Sequence, residues 1–136
     1  MRERFIRGPR PPGLVATVGD DVAGWIQVDE RSAFPRLATS RVLKPVDDLP
    51  VWSVACFLVK KPYRGRGVAL ALLEGACRFA EQHGAPALEG YPVEPEGRYT
   101  PTFAWTGFYG TFRDAGFTEV ARRSPTRPIM RMALAT

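Results

Sequence analysis

With 136 residues, 45% of them hydrophobic, and 19 Lys and Arg against 14 Asp and Glu for a formal charge of +5, the chain is long enough for one domain with a real core and short for two. No apolar run approaches the about 18 residues that a membrane span needs, and Cys56 and Cys77, each inside an apolar segment, form neither a disulfide framework nor a metal-ligand cluster. The charge suits a polyanionic partner, and a phosphate-bearing coenzyme meets that requirement as well as a nucleic acid does.

Residues 1–12, "MRERFIRGPRPP", are basic and proline-rich, without the apolar stretch and cleavage site of a secretory signal. They read as an irregular lead-in to a single domain over 13–136, and the cytoplasm is the expected compartment. "GLVATVGD" and "DVAGWIQVDE" form a hairpin turning at Gly19, Asp20 and Asp21. Its second arm alternates, with Val22, Gly24, Ile26 and Val28 on one face and Ala23, Trp25 and Gln27 on the other. The proline-rich connection 31–50 holds at most one or two helical turns, and its length marks it as a binding loop or substrate lid. "VWSVACFLV" at 51–59 is nearly all apolar and bounded by prolines, which predicts a central strand covered on both faces.

From Gly67 the period becomes helical. Val68, Ala71, Leu72, Gly75, Ala76 and Phe79 make one apolar stripe, Gly84 ends the helix, and His83 caps its C-terminus. Residues 86–93 read as a strand, so that strand, helix and strand form a right-handed β-α-β crossover with parallel strands. A second helix is expected over 103–115, ended by Gly116, and the tail reads as two antiparallel strands around Ser124 and Pro125. The order defines an α/β domain with a mixed sheet.

The short stretch "YRGRG", residues 63–67, lies between the buried strand and the start of the long helix. The first helical turn offers backbone N–H groups without intrahelical partners, and the peptide dipoles make that end attractive to anions. Gly65 and Gly67 clear the approach, while Arg64 and Arg66 supply charge-assisted contacts to phosphate. The stretch therefore reads as a pyrophosphate cradle, the plainer alternative being a solvated basic turn whose glycines negotiate the bend. A dinucleotide fingerprint is not met, since Leu70 stands where its third glycine belongs, and no Gly-Lys-Ser or Gly-Lys-Thr follows.

Residues 56–93 resemble the acetyl-CoA binding core of the GCN5-related N-acetyltransferase superfamily. The superfamily motif is Arg or Gln, two residues, Gly, one residue, Gly or Ala; here it is met by Arg64, Gly67 and Ala69. The resemblance implies one domain with a mixed, mostly antiparallel sheet flanked by helices, in which the usual N-terminal strand and helices are lacking or shortened. It implies acetyl-CoA as coenzyme, its pyrophosphate held by the backbone of Arg64, Gly65, Arg66, Gly67, Val68 and Ala69, and its pantetheine arm lying along Phe57 and Val59. The expected reaction is direct transfer of acetyl to an amine of a small molecule or peptide, and a homodimer would replace a missing acceptor-side wall.

Three roles follow from that chemistry: a base for the amine, a donor for the oxyanion and an acid for the thiolate. Where many members carry the acidic tyrosine this chain has Phe112, so Tyr109, one turn earlier, is the candidate acid, with aromatic packing as the alternative. Glu89 is the candidate base, the alternative being a strand residue hydrogen-bonded to a neighbour, and Glu94 or Asp47 would act through water. A backbone N–H near Val59 is the expected oxyanion donor. The acceptor is expected between 31–50 and 94–102, against Trp52, Tyr99, Phe103 and Trp105, with Asp47, Asp48, Glu94 and Glu96 attracting a cationic amine. His83 on a helix end supports no nucleophile triad, and no metal or membrane is implied. Two other classes stay open: a non-catalytic acyl-CoA sensor, and a nucleic-acid binder using Arg2, Arg4, Arg7, Arg10, Arg122, Arg123, Arg127 and Arg131, which lacks the interleaved aromatics such a surface needs.

Overall fold

The computed structural model describes residues 2–5, 13–64, 67–94 and 109–134. Strands β1 (Arg2–Phe5), β2 (Gly13–Val18), β3 (Asp21–Glu30), β4 (Trp52–Val59), β5 (Ala87–Gly90), β6 (Thr118–Arg122) and β7 (Pro128–Ala133) form one sheet in the order β1-β2-β3-β4-β5-β7-β6. Among the described strands only β4 and β5 run parallel. The helices are α1 (Pro35–Thr39), α2 (Val68–Gln82) and α3 (Tyr109–Asp114). The expected mixed, mostly antiparallel α/β domain is what forms.

β1 corrects the expectation of an irregular lead-in, because Arg2–Phe5 pairs antiparallel with Leu14–Thr17 at the sheet edge. Four residues are too few to display a period, so strand pairing rather than local pattern makes this element. The hairpin turns at Gly19, whose φ of 61° only glycine adopts freely. Its second arm alternates as expected from Gly24 to Val28, but a bulge between Ala16 and Thr17 turns Ala23 into the core as well.

α2 lies across β2, β3, β4 and β5 and buries Val68, Leu72, Leu73, Gly75, Ala76, Phe79 and Ala80, which adds Leu73 and Ala80 to the expected stripe and leaves Ala71 half-buried. With Ile26, Val28, Val54, Phe57, Leu88 and Met130 these residues make the main core. His83 closes the helix as expected, its Nδ1 lying 2.9 Å from the Phe79 carbonyl and its ring against Phe79 and Trp52. The last turn of the second expected helix is α3, and residues 103–108 lie outside the described residues.

The connection 31–51 does not stand open. It folds back across the other face of the sheet, where Leu43, Tyr91 and Ile129 form a second apolar cluster flanked by Leu37, Val42, Val46, Val120 and Ala121. Only the start of β4 is covered on this face, where Ser53 is buried against Tyr91, while Cys56 and Leu58 are half-buried, so the cover expected on both faces of the strand is incomplete.

Candidate active site

The sheet splits beside its one parallel pair. β4 and β5 are in register only from Trp52 with Leu88 to Val54 with Gly90. Beyond that point β4 stays with β3, up to Val59 opposite Gly24. The continuation of β5 stays with β7, because the register of Gly90 with Met130 persists to the Glu94 N–H, which donates to the Thr126 carbonyl at 2.9 Å. A gap therefore opens between residues 55–59 and residues 91–94.

Backbone alternation fixes which groups face it. The Lys60 N–H donates to Ala23 on β3, so the N–H and C=O of Val59 and Phe57 point the other way, into the gap. Glu94 points at β7, so the carbonyls of Tyr91 and Val93 face the gap from the far bank. Three of these groups have partners: Val59 O accepts from Arg64 Nε at 3.2 Å, Val93 O from the Tyr109 N–H at 3.0 Å, and Tyr91 O from an Arg127 terminal nitrogen at 3.1 Å.

At the fork β4 carries a bulge at Ala55, since Val28 pairs with Val54 while Gln27 pairs with Cys56. The strand is therefore distorted well before Val59, next to the point where the two parallel strands separate. A continuous apolar run hides such a bulge, because no polar alternation marks the slipped residue. Below the fork the fully buried Phe112 ring packs on Phe57 and Phe117 and fills the place a Gly90 side chain would take.

α2 starts where β4 ends. Its cap is Gly67 at φ 78° and ψ 7°, with no side-chain cap, and the Gly67 carbonyl accepts the first helical bond from Ala71. A side chain at Gly67 would meet nothing within 4 Å. The N–H groups of Val68 and Ala69 belong to the unpartnered first turn. Gly65 and Arg66 lie outside the described residues. A 3-10 turn over Lys61–Tyr63 is tied to the hairpin by the Tyr63 hydroxyl, which donates to Asp21 at 2.9 Å.

Glu89 sits on the second face, 1% exposed, with both oxygens engaged. Arg131 donates to Oε2 from Nε at 2.9 Å and from a terminal nitrogen at 2.5 Å, and the Tyr91 hydroxyl donates to Oε1 at 3.2 Å. Arg31 lies 3.7 Å from Oε1 and bonds the Tyr91 hydroxyl at 2.8 Å, which is also 2.7 Å from Ser53 Oγ. Burial, and then the neighbouring Glu89 charge, push the Tyr91 phenol well above its ordinary range. Asp47 grips Arg131 through both oxygens at 2.8 and 3.1 Å, which holds its carboxyl below the usual value. Glu94 pairs with Arg122 at 2.7 Å.

The acidic rim expected to attract an amine is thus partly consumed inside the protein. Trp52 also leaves the expected acceptor wall, since it packs on Phe79 and His83 under α2. Tyr99, Phe103, Trp105 and Glu96 lie outside the described residues. Tyr109 opens α3, half-buried, with the Arg122 guanidinium 5.9 Å from its ring centre. Cys56 and Cys77 are free and half-buried, and burial pushes the Cys77 thiol up to about 12. Among the described residues no group of acids, histidines and cysteines is placed to hold a metal, and no helix is long and apolar enough to cross a membrane.

Sequence reasoning named Arg127 only as one of a set of basic residues. In "RRSPTRPIM" nothing separates it from Arg122 and Arg123. Only the fold brings it to the gap.

The fold thus places a split in the sheet beside a helix end that attracts anions. Residues 1–96 match the Acetyltransferase (GNAT) family, and the chain belongs to that family. No curated protein matches it. Among solved structures it resembles the GNAT domain of PAT from S. lividans, at 25% identity and a TM-score of 0.60, over 90% of this chain and 60% of that one. It also resembles yncA from Salmonella typhimurium, solved with its cofactor acetyl-CoA, at 15% identity and a TM-score of 0.59, over 92% and 65% of the two chains. Ard1 from Thermoplasma volcanium aligns at 15% identity and a TM-score of 0.59, over 91% and 71%.

Proposed function

We propose that this protein transfers the acetyl group of acetyl-CoA to an amine of a small molecule or peptide by direct attack. The observation that carries the reading is the coincidence of the split between β4 and β5 with the open, glycine-capped start of α2. The residues fit the coenzyme. Backbone groups of Phe57 and Val59 face the gap where an extended arm would lie, and Arg64, Gly67, Val68 and Ala69, together with Gly65 and Arg66, would hold its pyrophosphate. When bound there, acetyl-CoA supplies an activated acyl carbon.

In the transfer a C–N bond forms, a C–S bond breaks, the amine gives up one proton and the sulfur takes one. The Phe57 N–H, just beyond the Ala55 bulge and aimed into the gap, is the candidate oxyanion donor. Tyr109 is the candidate acid, because Phe112 has no proton to give. Glu89 enters as a positioning residue rather than a base, since Arg131 and Tyr91 occupy its oxygens. The fully buried Phe112 favours one second reading, a coenzyme-binding module without turnover.

Calorimetric titration with acetyl-CoA tests the proposal, using Gly67→Asn and Gly67→Glu beside the parent chain. Asparagine tolerates the left-handed backbone, so it isolates strain from charge. We expect micromolar binding by the parent, a small loss with asparagine and at least a tenfold loss with glutamate, about 1.4 kcal/mol or more. No binding by the parent would refute the reading. Binding without acetylation of any amine across a broad panel would select the sensor instead.

A further inference from the structure

Among the described residues, the arginines on the second face of the sheet are accounted for, with one exception. Arg31 and Arg131 neutralise Glu89 and Asp47. Arg122 pairs with Glu94 and Glu119, and Arg123 spends its guanidinium on the carbonyls of Lys44 and Pro45. Arg127 stands apart. It immediately precedes β7, and the register from Gly90–Met130 to Glu94–Thr126 places it opposite Val93 on the far bank of the gap. Among the described residues its hydrogen bond runs to the Tyr91 carbonyl, which faces the gap. Nε is sealed from water and has no partner. No described carboxylate forms an ion pair with the group, and its burial alone pulls the guanidinium below its ordinary value.

A half-buried guanidinium with an orphan N–H is costly, because its charge is partly desolvated and nothing compensates it. A ligand anion entering the gap would compensate the charge at the terminal nitrogens of the guanidinium, whose planar donor geometry matches a carboxylate. We infer that Arg127 binds a carboxylate carried by the acceptor beside its reacting amine, so that the acceptor class is amino-acid-like rather than cationic. The inference rests on the acetyltransferase reading and reverses the sequence-based expectation of a cationic acceptor. Two of the four acids behind that expectation are paired within the protein: Asp47 with Arg131, and Glu94 with Arg122.

The test needs no turnover. N-acetylated amino acids, each beside its C-terminal carboxamide, are titrated calorimetrically into the protein saturated with CoA, using the parent chain, Arg127→Gln and Arg127→Lys. In parallel, free amino acids and their amides are assayed as acceptors with acetyl-CoA. The parent should prefer the free acid at least tenfold in both experiments. Arg127→Gln should erase the preference by weakening the acid about 10- to 100-fold, as a rise in KM with kcat little changed. Arg127→Lys should keep part of it, and the affinity for CoA should hold in both variants.

Equal binding of acid and amide by the parent overturns the inference, as does an unchanged preference in Arg127→Gln. So does CoA binding with no N-acetylated amino acid bound. Loss of CoA binding by the parent itself is a different result: it refutes the acetyltransferase reading first, and the acceptor class falls with it.

Discussion

Gly90 ends the parallel register, and no larger residue fits there. A Cβ built on it would overlap Phe112 Cε2 and stand 2.5 Å from Cζ and 2.9 Å from Cδ2. Phe112 cannot retreat, being fully buried between Phe57 and Phe117. In an ordinary strand alanine would be the better residue, so a loss here measures the ring contact alone. Gly90→Ala should destabilise the protein by about 1–3 kcal/mol through overpacking, read as a shift of the urea midpoint. Combining it with Phe112→Leu should cost less than the sum of the two changes, since the second relieves the first. Strictly additive losses would show that the ring does not set the position of β5. In the sequence "ALEGYPV" the glycine marks only a strand with a close approach, not its partner. Phe112 could be seen as a phenylalanine where the family resemblance expects a tyrosine, but its burial under the fork could not.

At the scale of elements, legibility followed the range of the interactions. α2 was readable because its stripe and its glycine ends are local, and the β-α-β crossover followed from the order of the elements. β1 and the Ala55 bulge were not readable, because both are properties of pairing with a distant strand. The connection 31–51 was placed by length but not by role. It is held down by arginines whose partners are far off in the chain: Arg31 donates to the carbonyls of Leu37 at 3.0 Å and Leu43 at 2.5 Å while meeting Tyr91 and Glu89 on the sheet. With its side chain 12% exposed and that of Glu89 1%, this is a buried pair. Removing Arg31 leaves Glu89 still paired with Arg131, so the cost, about 1–3 kcal/mol, comes from the part-buried carbonyls and the Tyr91 hydroxyl that lose their donor. Arg31→Met should therefore lose stability on that scale. Native-state hydrogen exchange should accelerate first at Leu37 and across 42–51, while the amides of α2 keep their protection. Uniform acceleration through the whole chain would mean that the connection is no separate unit.

For the whole molecule, the formal charge of +5 does not make the second face a nucleic-acid surface. Arg122, Arg123 and Arg131 are spent on internal acids and carbonyls, and Arg127 is half-buried at the gap. What the molecule leaves open is the sheet itself, divided into a β1–β4 part and a β5–β7 part that share only three register pairs, Trp52 to Val54 with Leu88 to Gly90. A ligand lying between residues 55–59 and 91–94 would bridge the two parts like an added strand, so binding should stiffen both banks. At 100 times its dissociation constant, acetyl-CoA should add about 2.7 kcal/mol by mass action, which raises the melting midpoint of a domain this size by roughly 10 °C. Hydrogen exchange should slow at Phe57 and Val59 on one bank and at Tyr91 and Val93 on the other, while β1 stays unchanged. A polyanion held by surface charge would instead give a shift that collapses between 50 and about 200 mM salt, with protection scattered over exposed arginines. Slowing confined to the start of α2 would mean that phosphate is held at the helix end while the gap stays empty, and an extended arm would then have no place in the sheet.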